Sequence, residues 1–355
     1  MRNETKLEID RRGVLTGVAA AAIGTMFSPD ASAAQDAAGA TPKFQYDSII
    51  VGGGPAGLSA ALVLGRSCRK VLVCDAGEPR NQTSPAVHSF FSRDGIRPAE
   101  LLKIGREQLK PYDVRLLHGR VDKAQPLNSG FSVQIDSGQT FTARKLILAT
   151  GVKDDLPSIS GLAELWGTGV YHCPYCHGWE VRNQPWAYMT EVKLAVEWGI
   201  ELKGWTENLT YCSGDMSNLK EEDREKLRHH GISVRQQTIQ QIKRAGDSGC
   251  EIEFSAGETL NVAAFFVRAP AIPRSSLAKQ LGCKLVSMPN VYSDTAETDP
   301  FGATSVPGVY VVGDASVGAP QVATAVTDGL MAAVMANKSL IQEDASPLET
   351  DEASR

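Results

Sequence analysis

The run Tyr46–Val51 (YDSIIV) is short, apolar and closed by glycines, the pattern of a strand buried on both faces. The segment LSAALVLGR after Gly57 carries its apolar residues at helical spacing, and Lys70–Cys74 (KVLVC) is a second buried strand. Polar turns at Asn128-Ser129-Gly130 and Asp136-Ser137-Gly138 divide a β-rich stretch that ends in the strand Lys145–Gly151 (KLILATG). From Pro185 the alternation returns as a strand, a helix reaching Gly199 and a strand at Leu209–Cys212, followed by a solvated helix of mixed charge (KEEDREKLRHH). Val309–Val312 is one more buried strand, running into Gly313-Asp314, and an apolar helix (ATAVTDGLMAAVMA) follows Val322. Strands alternating with helices predict an α/β fold with parallel sheets.

The two ends of the chain read differently. Arg11 and Arg12 precede the uncharged run Gly13–Phe27, and the small-residue site Ala31-Ser32-Ala33 follows. Charged region, apolar region and A-x-A site in that order predict a cleaved export signal over residues 1–33. Its arginine pair resembles a twin-arginine signal, which implies a periplasmic or secreted protein. The apolar run is too short to cross a bilayer, so no membrane span is expected after cleavage. Residues 34–43 read as an Ala/Gly-rich linker, and residues 343–355 as a disordered tail.

Composition narrows the classes. The chain has 355 residues, is 42% hydrophobic and 22% charged, and carries a net charge of -5. That length holds two domains with proper cores, and the charge gives no footprint for nucleic acid. Cys68, Cys74, Cys212, Cys250 and Cys283 are scattered and read as small buried hydrophobes.

Two motifs carry chemistry. Gly52, Gly54 and Gly57 form G-x-G-x-x-G between the first strand and helix, with Pro55 and Ala56 completing the turn. Gly52 makes the tight turn, Gly54 lets the backbone approach a pyrophosphate, and Gly57 lets helix pack on strand. Asp75 ends the second strand 23 residues after Gly52, where a carboxylate accepts from a ribose hydroxyl. The second motif is Val170–Glu180 (VYHCPYCHGWE). Its Cys173 and Cys176, flanked by His172 and His177, have a spacing shared by redox disulfides, haem c attachment sites and half zinc sites.

The order G-x-G-x-x-G, ATG (Ala149-Thr150-Gly151), C-x-x-C and GD (Gly313-Asp314) resembles the thioredoxin reductase family of two-dinucleotide-domain flavoproteins. The wording CPYCHGWE and the segment His88–Gly95 (HSFFSRDG) are similar to its gliotoxin- and holomycin-type FAD-dependent dithiol oxidase branch. The resemblance implies a Rossmann-like FAD domain (44–158 and 270–340) with an inserted βαβ domain (159–269) carrying the cysteines. It implies that FAD is held by the glycine turn, Asp75, Arg80, His88, Val121, Asp314, Gln321 and Val322, and that the protein is a homodimer. It also implies that Cys176 sits over the flavin while Cys173 is the exposed sulfur that exchanges with substrate.

Placed behind a flavoprotein strand, and with no second ligand pair for zinc, the cysteines read as a redox disulfide. An unassisted thiol titrates near 8.5, so a base is needed; His177 is the expected one and His172 the second candidate. One departure bears on direction. The turn expected to hold NADPH is Tyr188-Met189-Thr190-Glu191-Val192, without a glycine and without an arginine cluster nearby. Electrons would then run from a small dithiol or protein thiols to the disulfide, to FAD, and to oxygen or another acceptor. The alternatives are a disulfide reductase using NADPH or another donor, and a non-catalytic FAD-containing redox sensor or partner-binding protein.

Overall fold

The structure is a computed structural model that describes residues 44–214, 219–255, 257–288, 291–318 and 320–346. The expected export signal, the expected linker and residues 347–355 of the expected tail lie outside the described residues.

Strand β1 (Tyr46–Val51) leads through α1 (Pro55–Arg66) to β2 (Val71–Asp75), and through α2 (Pro98–Leu109) to β3 (Val114–His118). These strands lie parallel in the order β3-β2-β1. An antiparallel meander follows: β4 (Val121–Leu127), β5 (Gly130–Ile135) and β6 (Thr140–Leu148). The first half of β6 pairs with β5, and its opposite edge runs parallel to β1. The chain then leaves through β7 (Val152–Asp154).

The next stretch is built as a second unit. It contains α3 (Leu162–Leu165), β8 (Val170–Tyr171), α4 (Pro174–His177), β9 (Trp186–Met189), α5 (Val192–Leu202), β10 (Leu209–Cys212), α6 (Glu221–His229) and β11 (Ile232–Arg235). A meander, β12 (Ile239–Ala245), β13 (Gly249–Phe254) and β14 (Thr259–Val262), precedes β15 (Ala264–Val267). Among the described residues its main sheet is all parallel, in the order β11-β10-β9-β15-β8. Trp186, Tyr188, Tyr211 and Phe266 fill its core and are fully buried. Such strands are apolar on both faces, which is why they lack alternation.

The chain returns through β16 (Ala271–Pro273), which pairs antiparallel with β7, so exit and re-entry lie side by side. After α7 (Leu277–Gln280), β17 (Leu285–Met288) and β18 (Tyr292–Ala296), strand β19 (Val309–Val311) adds in parallel to β6, and α8 (Val322–Ala345) packs on α1. Register then places the site. Val51 lies beside Leu148, and Leu148 beside Val311. Three strands therefore end at one level, and Gly52, Ala149 and Val312 emerge together into the crevice beyond their carboxyl ends.

The C-terminal boundary corrects the sequence reading. Helix α8 continues through Ala345, and Glu343 and Asp344 are not tail residues. Arg144 bonds Glu343 at 2.8 Å and Asp344 at 2.7 Å, Arg69 bonds Asp344 at 2.7 Å, and buried Lys145 pairs with Glu343. Distant cations thus hold acidic residues that look solvated in sequence. Among the described residues, no helix is long and apolar enough to cross a membrane.

Candidate active site

A single cavity is lined by the glycine turn, Asp75, Arg80, Ser84, His88, the Ala149-Thr150-Gly151 segment, Cys176, His177, Asp314, Gln321 and Val322. The turn is shaped by backbone constraint. Gly52 has φ +110, and a side chain there would run into the Ala149 carbonyl. Gly57 likewise packs against the Gly52 carbonyl. Gly54, the N-cap of α1, differs: a β-carbon there would meet nothing within 4 Å. The open position faces the first turn of a helix, whose amides have no intrahelical acceptors, and this suits a pyrophosphate. Asp75 is held at the cavity edge by the Gly77 amide (3.2 Å) and Arg106 (3.1 Å).

Cys173 and Cys176 form a disulfide with Cα atoms 5.3 Å apart. Cys173 follows β8 as the N-cap of α4, so the bond bridges the first turn of a short helix that Pro174 begins. Cys176 is half-buried and faces the cavity, whereas Cys173 is 9% exposed and is not part of the lining. The expectation that Cys173 presents an exposed sulfur is therefore corrected: its place between a buried strand and the helix withdraws it from the surface. The carboxamide of Gln321, reaching across from the N-cap of α8, donates to Cys173 Sγ at 3.4 Å and to Cys176 Sγ at 3.2 Å.

The two histidines stand differently from expectation. His177 Nε2 meets Ser84 Oγ at 3.1 Å, its ring stacks on Tyr171 at 4.5 Å, and its Nδ1 is buried without a hydrogen-bond partner. Burial foremost, with His172 and His88 adding, pushes its pKa down to about 4, against the opposing pull of the Cys173 carbonyl. His172 stacks on Trp166 at 6.0 Å; burial, then nearby Arg80, pushes it to about 4 against Asp154 and Asp314. Both rings are neutral at pH 7. A neutral ring can take a proton, but one this hard to protonate is a weak base for a thiol.

Arg80 ties the walls together. Its guanidinium bonds Asp154 at 2.5 and 3.2 Å and Asp314 at 2.9 Å, and Trp166 Nε1 donates to Asp154 at 3.2 Å. Burial works against the arginine's charge, but the two carboxylates more than offset it and hold the pKa above the ordinary value. His88 lies 3.5 Å from Glu180 and 3.7 Å from Asp94.

Of the residues singled out in sequence, the cavity gathers Gly52, Gly54, Pro55, Ala56, Asp75, Arg80, His88, His172, Cys176, His177, Asp314, Gln321 and Val322. Gly57 and Cys173 sit directly behind it. Val121 does not join them; its side chain is 6% exposed and packs into the core beneath the β4–β6 meander. Ser84, Asp154, Trp166 and Tyr171 were missed, because nothing in a lone serine, aspartate or aromatic marks it out. The β9–α5 turn makes no comparable cradle: Thr190 is 4% exposed, and Glu191 stands at the N-cap position of α5, its side chain paired with Lys193 at 2.9 Å.

Comparison with known proteins agrees with this architecture. A family profile described as pyridine nucleotide-disulphide oxidoreductase matches residues 46–197 and 208–329. A probable thioredoxin reductase of Arthroderma benhamiae is 30% identical, the match covering 86% of this chain and 82% of the relative. The crystal structure of an oxidoreductase from Agrobacterium tumefaciens superposes with a TM-score of 0.78 at 35% identity, covering 84% of this chain and 99% of that one. The structure of HlmI gives 0.79 at 32% identity, over 84% and 93%.

Proposed function

The chain belongs to the pyridine nucleotide-disulphide oxidoreductase family and is a thioredoxin reductase-like disulfide oxidoreductase; from that premise we propose that it binds FAD and oxidises a dithiol to a disulfide. The observation that carries the direction is the β9–α5 turn. A nicotinamide dinucleotide needs a glycine there and a helix N-terminus free for its pyrophosphate. Here Thr190 is packed inside, the Tyr188 hydroxyl is spent on the Ala195 carbonyl at 2.7 Å, and a carboxylate, Glu191, stands at the helix start. A phosphate would meet side chain and negative charge. Without NADPH as donor, electrons enter from the substrate thiols.

The glycine turn and the α1 amides would hold the FAD pyrophosphate, Asp75 its adenosine ribose, and Asp314, Val322 and His88 its flavin half. Bound there, FAD supplies a two-electron acceptor for the reduced cysteine pair, with oxygen as the final acceptor. The chain's own residues do the sulfur chemistry. A substrate thiolate attacks the Cys173–Cys176 bond, a mixed disulfide forms, and the second substrate thiol resolves it. Cys173 is nearly buried and Cys176 half-buried, which favours a small dithiol over a folded protein. Export by the arginine-pair signal fits the same reading, because disulfides persist outside the cytoplasm.

The test uses the purified mature protein under nitrogen. A small dithiol should bleach the flavin absorbance, NADPH should not, and air should restore it. Rapid bleaching by NADPH would overturn the oxidase reading in favour of a reductase.

A further inference from the structure

The redox sulfurs have one polar partner among the described side chains, and it is not a histidine. Gln321 Nε2 lies 3.4 Å from Cys173 Sγ and 3.2 Å from Cys176 Sγ. His177, the expected base, directs Nε2 to Ser84 and makes no hydrogen bond to either sulfur. We propose that Gln321 is the catalytic hydrogen-bond donor of the cysteine pair, stabilising the thiolate released when the disulfide opens. The proposal rests on the thiol–disulfide exchange put forward above.

A disulfide sulfur is neutral and a poor acceptor. When a substrate thiolate attacks, a new S–S bond forms to one cysteine, the Cys173–Cys176 bond breaks, and its electron pair leaves on the other sulfur as a thiolate. The substrate's second thiolate then displaces the attacked cysteine. In balance, the substrate dithiol loses two electrons and two protons, and the cysteine pair gains them. An amide donor already in place bonds the departing anion far better than the neutral disulfide, so the interaction grows along the reaction. Its near-equal distances mean that either sulfur can leave without the side chain moving.

The surroundings support this role. Gln321 is the N-cap residue of α8, yet its side chain makes no capping bond and is free to point at the sulfurs. The start of this helix of 24 residues adds a partial positive charge on the same side. A carboxamide does not titrate in the working range, so its N–H donor is in place at any such pH, whereas a ring with its pKa near 4 is a weak base throughout.

The experiment is the pH dependence of iodoacetamide alkylation of the flavin-loaded protein after anaerobic reduction with dithiothreitol. It is done in a Cys68→Ser background, because Cys68, expected to be buried, is exposed and free. Buried Cys74, Cys212 and Cys250, pushed up to about 12, stay silent. Gln321→Leu should raise the apparent thiol pKa by about one unit and slow reduction of the disulfide by dithiothreitol about tenfold at pH 7. Gln321→Glu, with the same shape and a negative charge, should slow it further and serves if the leucine variant does not fold. Alkylation and reduction within twofold of the parent in both variants would overturn the proposal. So would a His177→Gln variant that shows the pKa rise while Gln321→Leu does not. Alkylation does not depend on the direction of electron flow. A pKa shift in a protein whose flavin NADPH bleaches would refute the oxidase reading and leave Gln321 standing.

Discussion

Asp154→Asn tests whether the Arg80 network is structural in substance. Asp154 has a side chain only 6% exposed and accepts three hydrogen bonds, two from Arg80 and one from Trp166. Breaking a buried ion pair by removing one partner costs about 3–5 kcal/mol, because the remaining charge is left uncompensated. Arg80 keeps its second carboxylate, Asp314, at 2.9 Å. About half of the full cost should therefore appear, roughly 2 kcal/mol in unfolding free energy. The assay is equilibrium urea unfolding of the purified protein, read by far-ultraviolet circular dichroism. The control is Asp122→Asn, which removes the partner of Arg120 in a solvent-exposed pair and should change nothing measurable. Equal stabilities for Asp154→Asn and Asp122→Asn would refute the reasoning, since burial would then make no difference.

Three further outcomes are expected. Gly54→Ala should keep the stability of the parent within about 1 kcal/mol, since the added methyl meets no protein atom, yet lose bound FAD; a full flavin content would contradict the cradle. His172 and His177 have folded pKa values near 4 against an ordinary 6.5. Below about 6.5 the unfolded chain therefore binds more protons, and stability should fall as the pH drops from 6.5 towards 4, less steeply in His177→Gln; an unchanged slope in urea unfolding would count against it. For Glu343, burial opposes ionisation, but Lys145 and Arg144 prevail and depress its pKa. Its stabilisation should be full above the ordinary carboxylate range and fade as pH falls through the depressed value, so Glu343→Gln and parent should converge in acid.

How far the sequence reached follows from the kind of constraint each residue obeys. The glycine turn was legible because Gly52 must take φ +110 against a carbonyl, and no other residue type does that cheaply. The parallel strands were legible because burial on both faces leaves continuous apolar runs. The tail boundary was not: Glu343 and Asp344 pair with Arg69, Arg144 and Lys145 from far along the chain. The histidines failed for a related reason. Their neighbours in sequence are cysteines, but their neighbours in space are Ser84, Trp166 and Tyr171. Val121 is implied only by likeness of position, and at the start of β4 its side chain packs into the core with Ala124.

The salt bridges of Arg80 have a further consequence for how the molecule is made. Asp154 precedes the inserted unit and Asp314 follows it, so one guanidinium joins the two ends of a long detour. Strand β19 likewise completes the edge of β6 only after that detour. A nascent chain released after the inserted unit but before residue 309 would carry the glycine turn and the cysteines, yet have an open sheet edge and an arginine short of one carboxylate. A complete cavity is thus a signature of finished synthesis, and cofactor retention would separate whole molecules from prematurely terminated ones.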